Sequence, residues 1–105
     1  LNAMKLYQRA WRRGSQSAAN NIAVLYREQG KPVSMFRWFQ RLVSIDDGDA
    51  HLEVAKCYLN GIGVRKDIQA ALRHLARATQ SLDITEFARE EAQALLDQQR
   101  PQLIK

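Results

Sequence analysis

The stretch "DAHLEVAKCYLNGIGVRKDIQAALRHLARAT" (residues 49–79) holds two runs of apolar residues at three- and four-residue spacing, parted by a loop with glycines at 61 and 63. That spacing is the period of amphipathic helices and not of strands. Gly61 follows the first run, where a left-handed residue closes a helix and glycine adopts that conformation at little cost. Asp67 precedes the second run, where a carboxylate accepts hydrogen bonds from unpaired first-turn amides. A phosphate-cradling loop is the competing reading, and the residues speak against it. No strand pattern precedes Gly61, no third glycine follows, and Lys66 lacks the Ser/Thr neighbour of a Walker loop.

The rest of the chain repeats this unit. In "SAANNIAVLY" (17–26), Ala18, Ile22, Ala23 and Tyr26 recur 32 residues later as Ala50, Val54, Ala55 and Tyr58 of "DAHLEVAKCY" (49–58). The following run, "FRWFQRLV" (36–43), recurs as "LRHLARAT" (72–79) at an offset of 36, because "NGIGVRKD" is a longer connection than "QGKPV". "KLYQRAW" (5–11) is the same second element once more. The order is therefore a B helix, two A–B pairs and a final helix, with helices predicted near 2–13, 17–29, 33–44, 49–60, 67–79 and 84–98. Pro32 is expected in a gap and Pro101 after the last helix. Asp49 is expected to cap the fourth helix, and Asp83 with Glu86 to form a capping box at the sixth.

Helix pairs of this kind expose an apolar face that only a neighbouring pair can bury. The expected fold is all-α, a right-handed solenoid (α–α superhelix) of antiparallel helix pairs, with Ala23 and Ala55 allowing close approach and Tyr7, Tyr26, Trp38, Phe39, Tyr58 and Leu75 filling the core. The last helix is expected to cap the stack, with Phe87, Ala88, Ala92, Leu95 and Leu96 inward and Glu86, Glu90, Glu91 and Asp97 largely outward. Helix 2–13 has no A partner, so part of its apolar face (Leu6, Tyr7, Ala10, Trp11) is expected to be open, and that end to meet further chain or to self-associate.

Residues 49–79 resemble the Sel-one-like repeat, a cousin of the tetratricopeptide repeat. The shared features are the aliphatic-small pair Val54–Ala55, Tyr58, the G-x-G-V loop at Gly61–Val64, Asp67 and the small residues that follow. His74 and Leu75 depart from the aromatic pair usual in that family, and Met35 and Leu42 stand where it commonly has small residues. The resemblance divides the single domain 1–105 into a partial repeat (1–14), a tetratricopeptide-like repeat (16–47), a Sel-one-like repeat (48–80) and a capping helix (83–99), in a short array or a piece of a longer one. It places Gly61 at the close of helix A, Val64 under the turn and Asp67 at the cap of helix B.

Composition sets outer limits. No apolar run approaches the roughly 20 residues needed to span a bilayer, and the first fourteen residues lack the apolar core of a secretory signal. The lone cysteine, Cys57, excludes an intrachain disulfide. The net charge of +5 is uneven: residues 1–45 hold eight Lys/Arg against Glu28 alone, whereas residues 46–105 hold eight bases and ten acids. A basic half suits an acidic partner or a nucleic acid.

Nothing in the chain reads as an active site, and no cofactor is implied. His51 and His74 are 23 residues apart without further ligands at metal spacing, so both read as structural. Cys57 reads as a small buried residue, and Asp46 and Asp47 as solvated turn residues.

Binding surfaces remain. The resemblance implies an adaptor or scaffold in a larger bacterial assembly, taking a protein or peptide on the concave A-helix face. Asn20, Arg27, Glu28, Lys56 and Asn60 would be its polar anchors, and Val24, Leu52 and Leu59 its apolar contacts. The alternative is a module for nucleic acid or another anionic polymer. It would use Lys5/Arg9, Arg37/Arg41 and Arg73/Arg77, each pair spaced i, i+4 on one helix face. Nucleic acid is disfavoured, because the aromatics sit at core positions and leave few stacking platforms.

Overall fold

The computed structural model describes the backbone of residues 2–104 and the side chains of residues 2–99. Six helices follow one another: α1 (Ala3–Arg12), α2 (Gln16–Glu28), α3 (Pro32–Val43), α4 (Gly48–Asn60), α5 (Ile68–Gln80) and α6 (Glu86–Ile104), with no strand among the described residues. Each helix packs on the next, and α6 also reaches back to α4. Short connections of this kind make neighbouring helices antiparallel. The long axis is 53 Å and the radius of gyration 14.2 Å, above the ~13 Å of a compact chain of this length.

The repeated residues occupy equivalent places. Ala18, Ile22 and Ala23 are buried in α2, as are Ala50, Val54 and Ala55 in α4. Tyr26 and Tyr58 are both half-buried beside the first core. That core gathers Ala19, Ala23, Met35, Phe36, Phe39, Leu42, Ala50, Val54 and Cys57 from α2, α3 and α4. A second core joins Leu52 and Ala55 of α4, Leu75 and Ala78 of α5, and Ala88 and Ala92 of α6. Met35 and Leu42 are buried in the first core.

The connections explain where helices stop. Gly14, Gly30 and Gly61 all take positive φ, as their position after a helical run predicts. Gly63 is constrained differently: its φ is +74°, and a Cβ there would lie 2.2 Å from the Pro32 carbonyl oxygen. The long loop can therefore rest against the start of α3 only with glycine at 63. Val64 packs against the first core, and Asp67 caps α5 by accepting from the Ala70 amide at 3.0 Å.

Several local expectations are corrected. Asp47, not Asp49, caps α4 by accepting from the Ala50 amide at 2.9 Å. The helix begins one residue early, at Gly48, which is pressed against residues 81–84, where a Cβ would come within 2.6 Å of Ile84. Asp49 instead reaches across to Thr85, accepting from its amide and its hydroxyl at 2.8 Å each. The capping box at Asp83 and Glu86 does not form: Thr85 caps α6, its Oγ1 accepting from the Ala88 amide at 3.2 Å. Pro32 opens α3 at its first turn, where a missing N–H costs nothing. Pro101 lies inside α6 and not beyond it.

On α6, Ala88 and Ala92 are buried as expected, but Phe87 is 77% exposed. The alanines set which stripe of α6 can approach α4 and α5 closely, and Phe87 falls off that stripe. Glu91 turns inward to α4, not outward, because Lys56 holds it. On α1, Leu6 is exposed and no residue is fully buried. Trp11 is half-buried through an edge-on contact with Trp38, ring centroids 5.7 Å apart.

Candidate functional site

A groove of about 560 Å³ lies between the C-terminal end of α2, the α2–α3 turn and α4. Its floor is made by the buried Met35 and Cys57, the exposed Ile62 stands at its edge, and its rim is charged, with Arg27, Lys31 and Lys56 against Glu53. The sequence places these groups together for plain reasons. The i, i+4 rows of α4 bring Glu53, Lys56, Cys57 and Asn60 to one side. Gly30 and Pro32 make the turn tight enough to set Lys31 at the opposite edge.

The rim is internally wired. Arg27 Nη2 donates to Glu53 Oε2 at 2.6 Å, and Lys56 Nζ lies 3.4 Å from the other Glu53 oxygen. Lys56 also donates to Glu91 Oε2 at 2.9 Å. Burial works against the Lys56 charge, but the hydrogen bonds and charges of Glu91 and Glu53 outweigh it and raise its pKa above the ordinary lysine value. Arg27 also lies over the Phe39 ring, 5.7 Å from the centroid. Its side chain keeps 49% of its surface exposed, so it can meet a ligand without leaving Glu53. The Cys57 thiol is pushed up to about 11, chiefly by burial. A thiol of that pKa is almost wholly protonated at neutral pH and is a poor nucleophile.

The predicted partner-binding residues divide. Arg27, Lys56 and Asn60 line the groove. Asn20 and Glu28 are exposed and Val24 is half-buried on α2, but none of the three lines it. Leu52 is a core residue at 3% exposure, and Leu59 packs against the same α4–α5–α6 core. Leu52 is corrected from a contact residue to a packing residue, because α6 lies on that part of α4, whereas Leu59 stays half-buried and also edges the hollow toward α6. Lys31, Met35, Glu53, Cys57 and Ile62 were missed as lining residues. The three-residue spacing of Glu53 and Lys56 was a visible signal for one of them. Lys31 and Ile62 come from separate loops and carried none.

Lys56 and Asn60 also edge a second hollow of about 270 Å³ toward α6, with Lys66 and Gln99 on its far side. The Asn60 amide is turned back to the Lys56 carbonyl at 2.9 Å.

The basic residues of the alternative surface, Lys5, Arg9, Arg37, Arg41, Arg73 and Arg77, are all exposed. Arg41 stacks on Trp38 at 4.0 Å from the centroid, and Arg77 lies 3.5 Å from Asp46.

The two histidines, separate in sequence, meet in space. His51 Nδ1 and His74 Nδ1 are 3.0 Å apart, and His51 Nε2 lies 2.9 Å from Asp46 Oδ1. Asp46 is accordingly an anchored residue and not a merely solvated one. No group of three or more His, Cys, Asp or Glu among the described residues is arranged to hold a metal. No described helix is long and apolar enough to cross a membrane.

Comparison with protein-family models, with curated proteins and with solved structures returned no match. The class of the chain is therefore set by its own geometry: an all-α protein of six sequentially packed helices with a charged-rimmed apolar groove.

Proposed function

We propose that the chain is a protein-interaction module, an adaptor or scaffold built as a right-handed Sel-one-like or tetratricopeptide-like solenoid. It binds an acidic peptide segment of a partner in the groove between the α2–α3 turn and α4. The groove carries this reading. An apolar floor with a mostly cationic rim suits a segment that buries one apolar side chain and presents carboxylates to Arg27, Lys31 and Lys56. The internal repeat, the sequential packing and the extended shape support the solenoid.

Glu53 and Glu91 already satisfy part of the rim, so a peptide carboxylate competes with them or joins them. Affinity then comes mainly from the floor and from Arg27 and Lys31. The test is selection from a random peptide library, followed by mapping of amide chemical shifts. Acidic sequences with a bulky apolar residue, shifting Lys31, Met35 and Ile62, are the expected result. Arg27→Ala with Lys31→Ala should weaken binding about tenfold or more, whereas replacing Arg37, Arg41, Arg73 and Arg77 should do little. Selected peptides that map elsewhere would sink the reading.

One observation favours a second reading. α1, α3 and α5 carry Lys5, Arg9, Arg12, Arg37, Arg41, Arg73 and Arg77 and not one acidic residue. A set of helices with one sign of charge suits an anionic polymer. Binding of that kind would weaken steeply between about 50 and 200 mM salt, and groove binding would not.

A further inference from the structure

We infer that His51, His74 and Asp46 form a proton-sensitive clasp, which ties the α3–α4 loop to α4 and α5 as long as the histidine pair carries no more than one positive charge. The geometry requires a definite placement of protons. Asp46 Oδ1, 2.9 Å from His51 Nε2, accepts the proton on that nitrogen. A neutral His51 then has only a lone pair left at Nδ1. His74 Nδ1, 3.0 Å away, must supply the N–H between the two rings. One further proton fits with every hydrogen bond intact, either at His74 Nε2 or at His51 Nδ1 with the shared N–H reversed and His74 in its Nε2–H tautomer. A second leaves a proton on both Nδ1 atoms, where two N–H groups would point at each other across 3.0 Å. His51 is 3% exposed and cannot turn its ring to water to escape.

The surroundings strengthen this limit. Arg77 approaches Asp46 at 3.5 Å, and His74 lies stacked on Tyr58 with centroids 5.8 Å apart. Burial lowers the His74 pKa, the charges of Arg73 and Arg77 lower it further, and a proton on His51 would lower it too, which is the one-charge limit again. Asp46 is held below the usual carboxylate range, first by its hydrogen bond to His51 and also by Arg77, so it stays ionised throughout the histidine range. Asp47 is raised by burial and by the nearby charges of Asp83 and Asp49.

The sign of the pH dependence follows. In the unfolded chain both histidines bind protons independently near pH 6.5. The folded chain takes up at most one, so at least one proton is excluded. Stability from the clasp is therefore complete above about pH 6.5 and falls as the pH drops below it. The folding constant should fall by up to about tenfold per pH unit for each proton excluded. These are the only two histidines in the chain, and their imidazole signals separate them from Asp47, whose raised pKa moves it toward the same window.

The clasp also reaches further. The Asp46 carbonyl accepts from Ser81 Oγ at 3.2 Å, and the Gly48 amide donates to the Asp83 carbonyl at 2.8 Å. Freeing the α3–α4 loop thus loosens the segment that leads into α6, the helix whose Glu91 holds Lys56 at the groove rim.

The test is a pH titration of the full chain, following side-chain imidazole nitrogens by NMR, together with melting curves from pH 7.5 to 5. At pH 7.5 His51 should appear as the Nε2–H tautomer and His74 as the Nδ1–H tautomer. Only one ring should become imidazolium before the chain unfolds, and the melting temperature should fall on acidification. In His74→Gln, which keeps a donor toward His51, the fall should be shallower. Two rings protonating near pH 6.5 in a folded chain would overturn the inference, as would a flat melting profile or an unchanged slope in the variant. The imidazole titration of the unsubstituted protein decides the matter if His74→Gln does not fold.

Discussion

The α2–α3 hairpin and the α4–α5 hairpin begin from the same residue pattern and end with different surroundings. The first turns through residues 29–31 and is filled with large side chains, Met35, Phe36, Phe39 and Leu42. The second turns through residues 61–67 and is packed largely with alanines, Ala55, Ala70, Ala71 and Ala78. Small residues let a further helix lie close, so α6 covers α4 and α5 together. Beside the first hairpin the contact with α4 leaves a hollow at one end, and that hollow is the groove. One repeat unit thus carries a close helix contact with a smaller hollow beside it in one place and the wider recess in another, according to side-chain volume.

The largest expected effect tests the filled core. Phe39→Ala removes an aromatic ring at 1% exposure and should cost about 4 kcal/mol, read from urea unfolding. A loss below about 1 kcal/mol would mean that α2, α3 and α4 collapse around the gap and that volume does not separate the two hairpins.

The turns come next. Gly63→Ala should cost on the order of 3 kcal/mol, since it combines a positive φ with a clash against the Pro32 backbone. Gly30→Ala has the same sign of φ but open space around it and should cost only about 1 kcal/mol. Equal losses would show that the long loop is not seated on α3.

Ala55→Leu overpacks the close helix contact at a site with no exposure and should cost about 2 kcal/mol. The melting temperature should drop, and proteolysis should first release α6, which loses its close contact with α4. An unchanged melting temperature would contradict the small-residue account of why α6 docks there.

Two smaller effects sharpen the comparison. Asp47→Ala and Asp67→Ala each remove a side-chain cap and should cost about 1 kcal/mol apiece. Arg27→Ala removes a half-exposed ion pair at the groove rim and should change stability by less than about 1 kcal/mol while weakening peptide binding. A large stability loss there would make Arg27 a structural residue and not a ligand anchor.

What the sequence determined by itself was local. Periodicity placed all six helices, because the spacing of apolar residues is fixed by the helix repeat and needs no tertiary partner. Gly14, Gly30 and Gly61 marked helix ends, and Asp67 marked a cap, because turn and cap chemistry acts over a few residues. The equivalence of Ala18, Ile22 and Ala23 with Ala50, Val54 and Ala55 announced buried positions in both units. Caps failed where a distant segment intervened: Asp49 bonds Thr85, and its expected role passed to Asp47.

Tertiary structure alone decided what the exposed-looking polar residues do. Leu52 was expected on an open face, and the α4–α5–α6 core takes it in. Glu91 was expected outward, and Lys56 draws it in. His51 and His74 carry no sequence signal of each other across 23 positions. Their meeting depends on the register between α4 and α5, which the loop at 61–67 sets. The groove likewise depends on how far the α2–α3 turn stands from α4. That distance follows from the combined volumes of Met35, Cys57 and Val54, and no single position in the chain encodes it.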